Sequence, residues 1–352
     1  MARVIAKLVV GVAVCAGVSA GAVVVGQRDG RPEAIEPQVI CADRESVDQD
    51  DMCFWVHPKD PSKSIVIAAD KKADRLFVYD LEGRTLQSVT VEHPGNVDVR
   101  YGFVLGKRTV DIVALNQRHD FKVFVFTVDA DTRRLERVDD GNIGAGENYG
   151  GTLYRSPRSG RFYFFTTSKA GDVVQYKLTD NGSGKVTGEQ VRSWKIRKSE
   201  AAVADDERGK VYIGEEDKGV WEVGGEPDDP APGKLVVRVG ENGLAGDVEG
   251  LAIYHRTGGE GYLIVSDQGV SEFKVYRRGG SHEPIGRFSI RGAEMTDGID
   301  VCNAGLGPRF PKGLFACHTA EGRCAVLLTS WEAIAQAVRP QLAIDTSWTP
   351  RR

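Results

Sequence analysis

Short apolar segments recur along most of the chain, and turns rich in glycine, asparagine or aspartate separate them. This pattern is typical of β-strands joined by tight turns. Convincing helical periodicity appears only near the end of the chain, in the segment SWEAIAQAV that begins at Ser330. The pattern therefore predicts an all-β fold with one short C-terminal helix.

A strand with an aromatic residue near its end recurs at intervals of about 45 to 55 residues, which is the length of a propeller blade. The aromatic residues are Tyr79, Phe126, Tyr176, Trp221 and Tyr276. A further strand and a short polar turn precede each of them, and a degenerate sixth copy reads GLFACHTAEGRC. The repeat predicts a six-bladed β-propeller over residues 49–345, with four strands in each blade.

The N-terminal region before the repeats has a different character. Arg3 and Lys7 precede a long apolar run, so we expect residues 1–25 to be a signal peptide or a membrane anchor, and the protein to be secreted or periplasmic. We consider residues 26–48 a linker that could add a ring-closing strand to the last blade. In an exported chain, the five cysteines that follow the apolar run could form one or two disulfides, with at least one thiol left over.

Composition excludes one large class of partner. The chain has 352 residues, of which 41% are hydrophobic and 27% charged, with a formal net charge of −4 and a pI near 6.0. Without a global positive field it is unsuited to nucleic acid, and any basic site must be local. We expect a monomer with a small-molecule substrate.

If the repeats are propeller blades, equivalent positions of successive blades meet at one mouth of the central channel. Chemically similar residues at these positions would then form one site. The positions that open the first strands are acidic: Asp50, Asp51, Asp98, Glu147, Glu200, Asp247, Glu249, Asp297 and Asp300. The turns after the second strands are basic in three blades, at Lys71, Lys72, Arg118 and Lys169, and acidic or polar in the next two. Converging carboxylates require cations, and hard oxygen ligands suit Ca²⁺. The basic rim then requires an anion such as a phosphorylated small molecule.

Several segments resemble, in order, the signature segments of the β-propeller phytases. They are DDMCFWVHP, DKKADRLFVYDLEG, NVDVRYGF, YGGTLYR, TSKAGDVVQYKL, SEAAVADDERGKVYIGEED and DVEGLAIY, and the likeness extends from about residue 50 to residue 335. The resemblance implies a calcium-dependent 3-phytase-type phosphoric monoester hydrolase. Such an enzyme removes phosphate from phytate, myo-inositol hexakisphosphate, by direct attack of a metal-activated water.

The resemblance also implies roles for individual residues. Phosphate-binding roles fall on Lys71, Lys72, Arg118, Tyr149 and Lys169. Catalytic roles fall on Lys71, Arg118, Lys169 and Glu216. Roles in holding several calcium ions fall on Asp50, Asp51, Asp98, Glu200, Glu216, Asp247, Glu249 and Asp297.

The chain departs from the family pattern at a few positions, and two other functions stay open. Met52 and Ala201 replace a proline and a glycine of the family, and His318-Thr319-Ala320 replaces a Gln-Asp-Gly turn in the sixth blade. A calcium-dependent propeller lactonase or organophosphatase would use the carboxylates but not the basic turns. A non-catalytic inositol-phosphate-binding propeller would use both without turnover.

Overall fold

The structure is a computed structural model, and it describes residues 32–144, 146–322 and 324–351. Two short strands, β1 (Ala34–Ile35) and β2 (Val39–Cys41), precede the first complete sheet. Blade one contains β3 (Gln49–Trp55), β4 (Ile65–Asp70), β5 (Arg75–Asp80) and β6 (Thr85–Thr90). Blade two contains β7 (Pro94–Leu105), β8 (Arg108–Gln117), β9 (Lys122–Asp129) and β10 (Arg134–Arg137).

The next three blades repeat this four-stranded antiparallel plan. Blade three contains β11 (Gly151–Arg155), β12 (Phe162–Thr166), β13 (Asp172–Asp180) and β14 (Val186–Lys195). Blade four contains β15 (Ala202–Asp205), β16 (Lys210–Glu215), β17 (Gly219–Gly224) and β18 (Lys234–Arg238). Blade five contains β19 (Val248–His255), β20 (Gly261–Asp267), β21 (Glu272–Arg277) and β22 (Pro284–Ile290), and β1 adds to β22 in parallel.

Blade six closes the ring. It contains β23 (Ile299–Cys302), β24 (Leu314–His318) and β25 (Val326–Ser330), and its outermost strand is β2 from the other end of the described chain. The first strands of neighbouring blades contact one another in turn, and β23 returns to β3. The predicted six-bladed propeller is therefore confirmed.

How deeply a strand is buried depends on its position in the blade. In blade one, β4 is buried along its whole length because neighbouring blades cover both of its faces, whereas the outermost strand β6 is largely exposed or half-buried. Val66 and Ala68 pack towards Leu314 and Ala316 of blade six. Ile65 and its alternate neighbours belong instead to the cluster shared with blade two. Each interface between blades is thus a continuous apolar layer.

The predicted helix is also confirmed. It is α1 (Trp331–Ala337), and the Ser330 hydroxyl oxygen accepts a hydrogen bond from the Ala333 N–H at its start. The Trp331 ring stacks on Tyr254 with 4.1 Å between centroids and 12° between planes. The helix therefore packs against blade five. Among the described residues, no helix is both long and apolar enough to cross a membrane.

The segment after α1 runs across the end of the channel that lies opposite the strand-opening residues. The Trp348 ring stacks on His255 with 4.2 Å between centroids, and its indole N–H donates to Glu207 at 2.8 Å. The Arg351 guanidinium donates to the Val56 carbonyl at 2.7 Å and to Asp111 at 2.6 Å. This segment therefore ties blades four and five to blades one and two.

The expected disulfides are absent from the described residues. Cys41, Cys53, Cys302 and Cys317 are free and buried in the apolar layers, and Cys324 is free and half-buried. Burial raises the pKa of Cys302 to about 12, so it stays a neutral thiol that packs as a small apolar side chain. The expected signal peptide or anchor at residues 1–25 lies outside the described residues.

Closure by β2 predicts a contrast between two neighbouring side chains. Val39 is 7% exposed in the layer between blades six and one, whereas Ile40 is 61% exposed on the other face of the same strand. We expect Val39→Asp to lower the free energy of unfolding by about 3 kcal/mol or more, because it buries an unpaired carboxylate. Ile40→Asp should change it by less than about 0.5 kcal/mol. Urea unfolding measures both, and equal losses would contradict the proposed closure.

Candidate active site at the mouth of the channel

The first and second strands of a blade place its polar residues at one edge. They pair in antiparallel fashion, so the start of the first strand lies beside the end of the second. In blade one, Gln49 pairs with Asp70, which puts Asp50 next to the turn that begins at Lys71. Arg118 likewise follows the end of β8, and Glu216 follows the end of β16. Repetition thus brings these side chains to the same mouth.

Asp50 lies between the two predicted phosphate-binding cations. Its carboxylate accepts a hydrogen bond from the Lys71 ammonium and lies 3.3 Å from the Arg118 guanidinium, and its side chain is 1% exposed. Burial alone would raise the pKa of Asp50, but the charges of Arg118 and Lys71 hold it below the ordinary value. Asp50 is therefore ionised at neutral pH.

Each cation also contacts a carboxylate from another blade. Lys71 donates to Asp297 at 3.2 Å, and Arg118 donates to Glu200. Burial raises the pKa of Glu200, although Arg118 opposes this change. Burial and the neighbouring Asp50 carboxyl raise the pKa of Asp297 to about 9. The network consequently joins blades one, two, four and six.

The Tyr149 ring lies close to two of the basic side chains at the mouth. The Lys169 ammonium lies 4.6 Å and the Arg118 Cζ atom 4.8 Å from its ring centroid. Its hydroxyl is hydrogen-bonded to the Glu200 carboxyl. Burial raises the pKa of Tyr149 well above its ordinary value, and Glu200 adds to this effect, so the phenol is a hydrogen-bond donor at neutral pH.

A carboxylate cluster forms the other half of the site. Ligand oxygens of Glu216, Asp247 and Glu249 all lie within 4.8 Å of one another. Burial, followed by the charges of Glu200 and Glu216, raises the pKa of Glu249 to about 10. Buried oxygens of Glu216 and Glu249 have no hydrogen-bond partner. This donor set fits a hard divalent cation, which would relieve the repulsion and satisfy the unpaired oxygens.

The remaining predicted residues lie apart from these contacts. Lys72 is 66% exposed and contacts Asp48 at 2.8 Å. Asp51 accepts from the Val97 N–H at 2.8 Å. Asp98 accepts from Arg100 at 2.9 Å and from the Thr152 hydroxyl at 2.7 Å, as well as from two backbone N–H groups. Asp51 and Asp98 line the channel below the mouth, and their role as metal ligands stays a prediction.

Two charged residues at the mouth were missed by the sequence reasoning. Asp48 is buried and lies 3.7 Å from Lys71 as well as close to Lys72. The Lys198 ammonium is hydrogen-bonded to Glu216. Asp48 lies two residues before Asp50, and Lys198 lies two residues before Glu200. Both therefore lie at the same short distance upstream of a predicted acidic residue, which is the signal that could have identified them.

The altered turn of blade six forms a second group of potential ligands with Asp48. Atoms of Asp48, His318 and Cys324 lie within 4.8 Å of one another. The His318 Nδ1 accepts a hydrogen bond from the Asp297 N–H at 3.1 Å, so the proton of the neutral ring is on Nε2, 3.8 Å from Asp48. Burial lowers the pKa of His318 to about 4. In this tautomer the protonated Nε2 offers no lone pair to a metal, and it lies too far from Asp48 for a hydrogen bond.

The fold and the mouth together define a six-bladed propeller in which basic and acidic side chains adjoin at one end of the channel. The chain belongs to the phytase family, whose model matches residues 6–352. It is 38% identical over 323 residues to the 3-phytase of Bacillus subtilis (strain 168), covering 86% of this chain and 84% of that protein. The fold is also similar to that of regucalcin, a calcium-binding protein from Agrobacterium tumefaciens, with a TM-score of 0.50 and 13% identity. That likeness covers 88% of this chain and 93% of regucalcin.

The carboxylate cluster predicts how stability depends on pH without a cation. Because the pKa of Glu249 rises from 4.5 to about 10, folding holds a proton that the unfolded chain releases above pH 4.5. Stability in chelator should therefore fall as the pH rises from about 4.5 towards 10. Glu249→Gln should flatten this decline and stabilise the chelated protein at pH 8 by about 2 kcal/mol.

Thermal unfolding at several pH values tests this expectation. Glu189→Gln is the control, because Glu189 is an exposed residue of β14 that pairs with Lys177. We expect added divalent cation to stabilise the wild type and the control at pH 8 but to stabilise Glu249→Gln less. An unchanged pH dependence in Glu249→Gln would show that its carboxyl does not carry the effect.

Proposed function

We propose that the protein is a calcium-dependent phytase that releases inorganic phosphate from phytate by direct attack of water. The observation that carries this proposal is that a group of basic side chains lies next to a group of acidic side chains at one mouth of the channel. Lys71 and Arg118 contact Asp50, and Arg118 and Lys169 lie beside the Tyr149 ring. The cluster of Glu216, Asp247 and Glu249 adjoins these groups through Glu200. Membership of the phytase family supports the choice of substrate.

The cations of the site are held by carboxylates that a metal would engage. Lys71 and Arg118 are paired with Asp50, Asp297 and Glu200. A calcium–phytate complex would exchange these partners, because carboxylate oxygens bind calcium while the freed cations bind phosphate oxygens. Calcium, when bound, supplies charge neutralisation and a water of lowered pKa.

The protein groups then have separate tasks in the reaction. Lys71, Arg118 and Lys169 bind the phosphate that is cleaved, and they stabilise the negative charge that develops on its oxygens. The Tyr149 hydroxyl donates to a further phosphate oxygen. Glu216 and Glu200 hold the cation side of the complex in place. The motifs of the chain supply no covalent serine or cysteine nucleophile, so these residues orient phosphorus for water.

A phosphate-release assay tests the proposal and separates it from the two alternatives. The purified protein should release phosphate from calcium phytate, lose this activity in chelator and regain it when calcium is returned. Arg118→Ala should lower kcat/KM by about 100-fold or more, because it removes a donor to the developing charge. Arg134→Ala is the control, since Arg134 is exposed on the outermost strand of blade two.

Other outcomes would favour another function. Tight phytate binding without release would indicate a binding propeller. Turnover of lactones or organophosphates without phytate hydrolysis would indicate a hydrolase of another class. An Arg118→Ala variant that is folded and fully active would contradict the role of the basic rim.

The two adjacent lysines give a second prediction. Lys71 is 25% exposed and contacts the carboxylates of Asp48, Asp50 and Asp297. Lys72 is 66% exposed, and of these three carboxylates it contacts only that of Asp48. Lys71→Gln should lower kcat/KM for phytate by about 100-fold, and Lys72→Gln by less than about threefold, because exposed pairs contribute little. Steady-state kinetics measure both, and similar losses would mean that the two lysines share the phosphate.

A further inference from the structure

Lys198 is a cation at the mouth that belongs to neither the predicted phosphate-binding set nor the predicted metal set. It lies between β14 and β15, and its carbonyl accepts a hydrogen bond from the Glu216 N–H at 3.3 Å. Its ammonium is hydrogen-bonded to Glu216 Oε2 and lies 5.7 Å from the Tyr149 ring centroid. Lys198 therefore lies between the carboxylate cluster and the Tyr149 ring, which Arg118 and Lys169 also approach.

The side chain of Lys198 can change partners without movement of the backbone. It is 50% exposed, whereas the Glu216 side chain is 6% exposed. A lysine ammonium is a compact charge on a flexible four-carbon stem, so rotation of the stem moves it over several ångströms. The buried Glu216 side chain therefore has little room to rotate, whereas the Lys198 side chain has more.

Cation binding at the cluster would compete with this pair. The ammonium occupies Oε2 of Glu216, and Oε1 has no hydrogen-bond partner. A divalent cation held by Glu216, Asp247 and Glu249 would place two positive groups around one carboxylate, which repel each other. The freed ammonium would then lie beside Tyr149, where a phosphate is its strongest available acceptor.

We propose that Lys198 pairs with Glu216 in the cation-free protein and binds a substrate phosphate once a divalent cation occupies the cluster. This proposal rests on the proposed function, because it takes the cluster as the calcium site and a polyphosphorylated ester as substrate. Lys198 is then a substrate-binding residue whose charge also sets the calcium concentration at which the site fills.

If Lys198 changes partners in this way, Lys198→Gln should raise the affinity for calcium and lower the affinity for a polyanionic ligand. Calcium should bind the cluster about fivefold more tightly, because no ammonium competes for Glu216. Binding of myo-inositol hexasulfate, a non-hydrolysable polyanion, at saturating calcium should weaken about tenfold, because a charge-assisted hydrogen bond is lost. The KM for phytate should rise by a similar factor while kcat changes less than about twofold.

Isothermal titration calorimetry with calcium and with the hexasulfate measures both affinities without turnover. Glu216→Gln identifies which calcium-binding step belongs to the cluster. Lys198→Arg keeps the charge and should retain most of the hexasulfate affinity. Lys195→Gln is the matched control, because Lys195 pairs with Asp172 at 3.0 Å at the end of β14 and should change neither affinity.

Two outcomes would overturn the proposal. If Lys198→Gln weakened calcium and hexasulfate binding together, Lys198 would only hold Glu216 in position. If neither affinity changed, the Lys198–Glu216 pair would have no part in the site. A wild type that binds no calcium or releases no phosphate would instead refute the proposed function, whatever Lys198→Gln does.

Discussion

The structure of the mouth depends on the neutralisation of Asp50. This carboxylate is 1% exposed, and an ionised group at that depth is costly unless cations surround it. Lys71 and Arg118 provide that charge, but Lys71 also contacts Asp48 and Asp297, and Arg118 also contacts Glu200. Two cations therefore face four carboxyl groups. In the adjoining cluster, burial and the neighbouring carboxylates raise the pKa of Glu249 to about 10, so this group holds its proton at neutral pH. Under the proposed function, a cation bound at the mouth would engage these carboxyl groups and free the basic groups for an anion.

The propeller fold makes such a balance possible because each blade contributes a few side chains from fixed backbone. Asp50 and Lys71 come from blade one, Arg118 from blade two, and Glu216 from blade four. Their strands are buried between apolar layers on both sides, which leaves the site residues little freedom to separate. The packing of the blades thus holds these carboxyl groups close together, where burial and then the neighbouring carboxylates raise the pKa of Glu249.

The sequence predicted the fold and the basic turns because both follow from a repeat. Lys71 and Arg118 each come directly after the second strand of a blade, so counting along the repeat places them together. Lys198 could not be predicted in this way, since it lies in the segment between blades. The depth of Asp98 also escaped the pattern: β7 begins four residues before it, whereas β3 begins one residue before Asp50. The sequence left one or two disulfides open, because spacing along the chain does not give the distance between two cysteines, and the five described cysteines are free.

The seam of the ring passes directly beneath the site. Blades one and six meet where the Gly298 N–H donates to the Asp50 carbonyl at 2.9 Å and the Gln49 N–H donates to the Cys324 carbonyl at 3.2 Å. Lys71 bridges the same seam through Asp50 and Asp297. Strand β2 closes blade six on its outer edge, so the two ends of the seam are held by a backbone ladder outside and by an ion network inside. A ligand that engaged both Asp50 and Asp297 would require blades one and six to be joined, so by linkage it would stabilise the closed ring by RT ln(1 + [L]/Kd). Occupation of the mouth would then be coupled to closure of the ring.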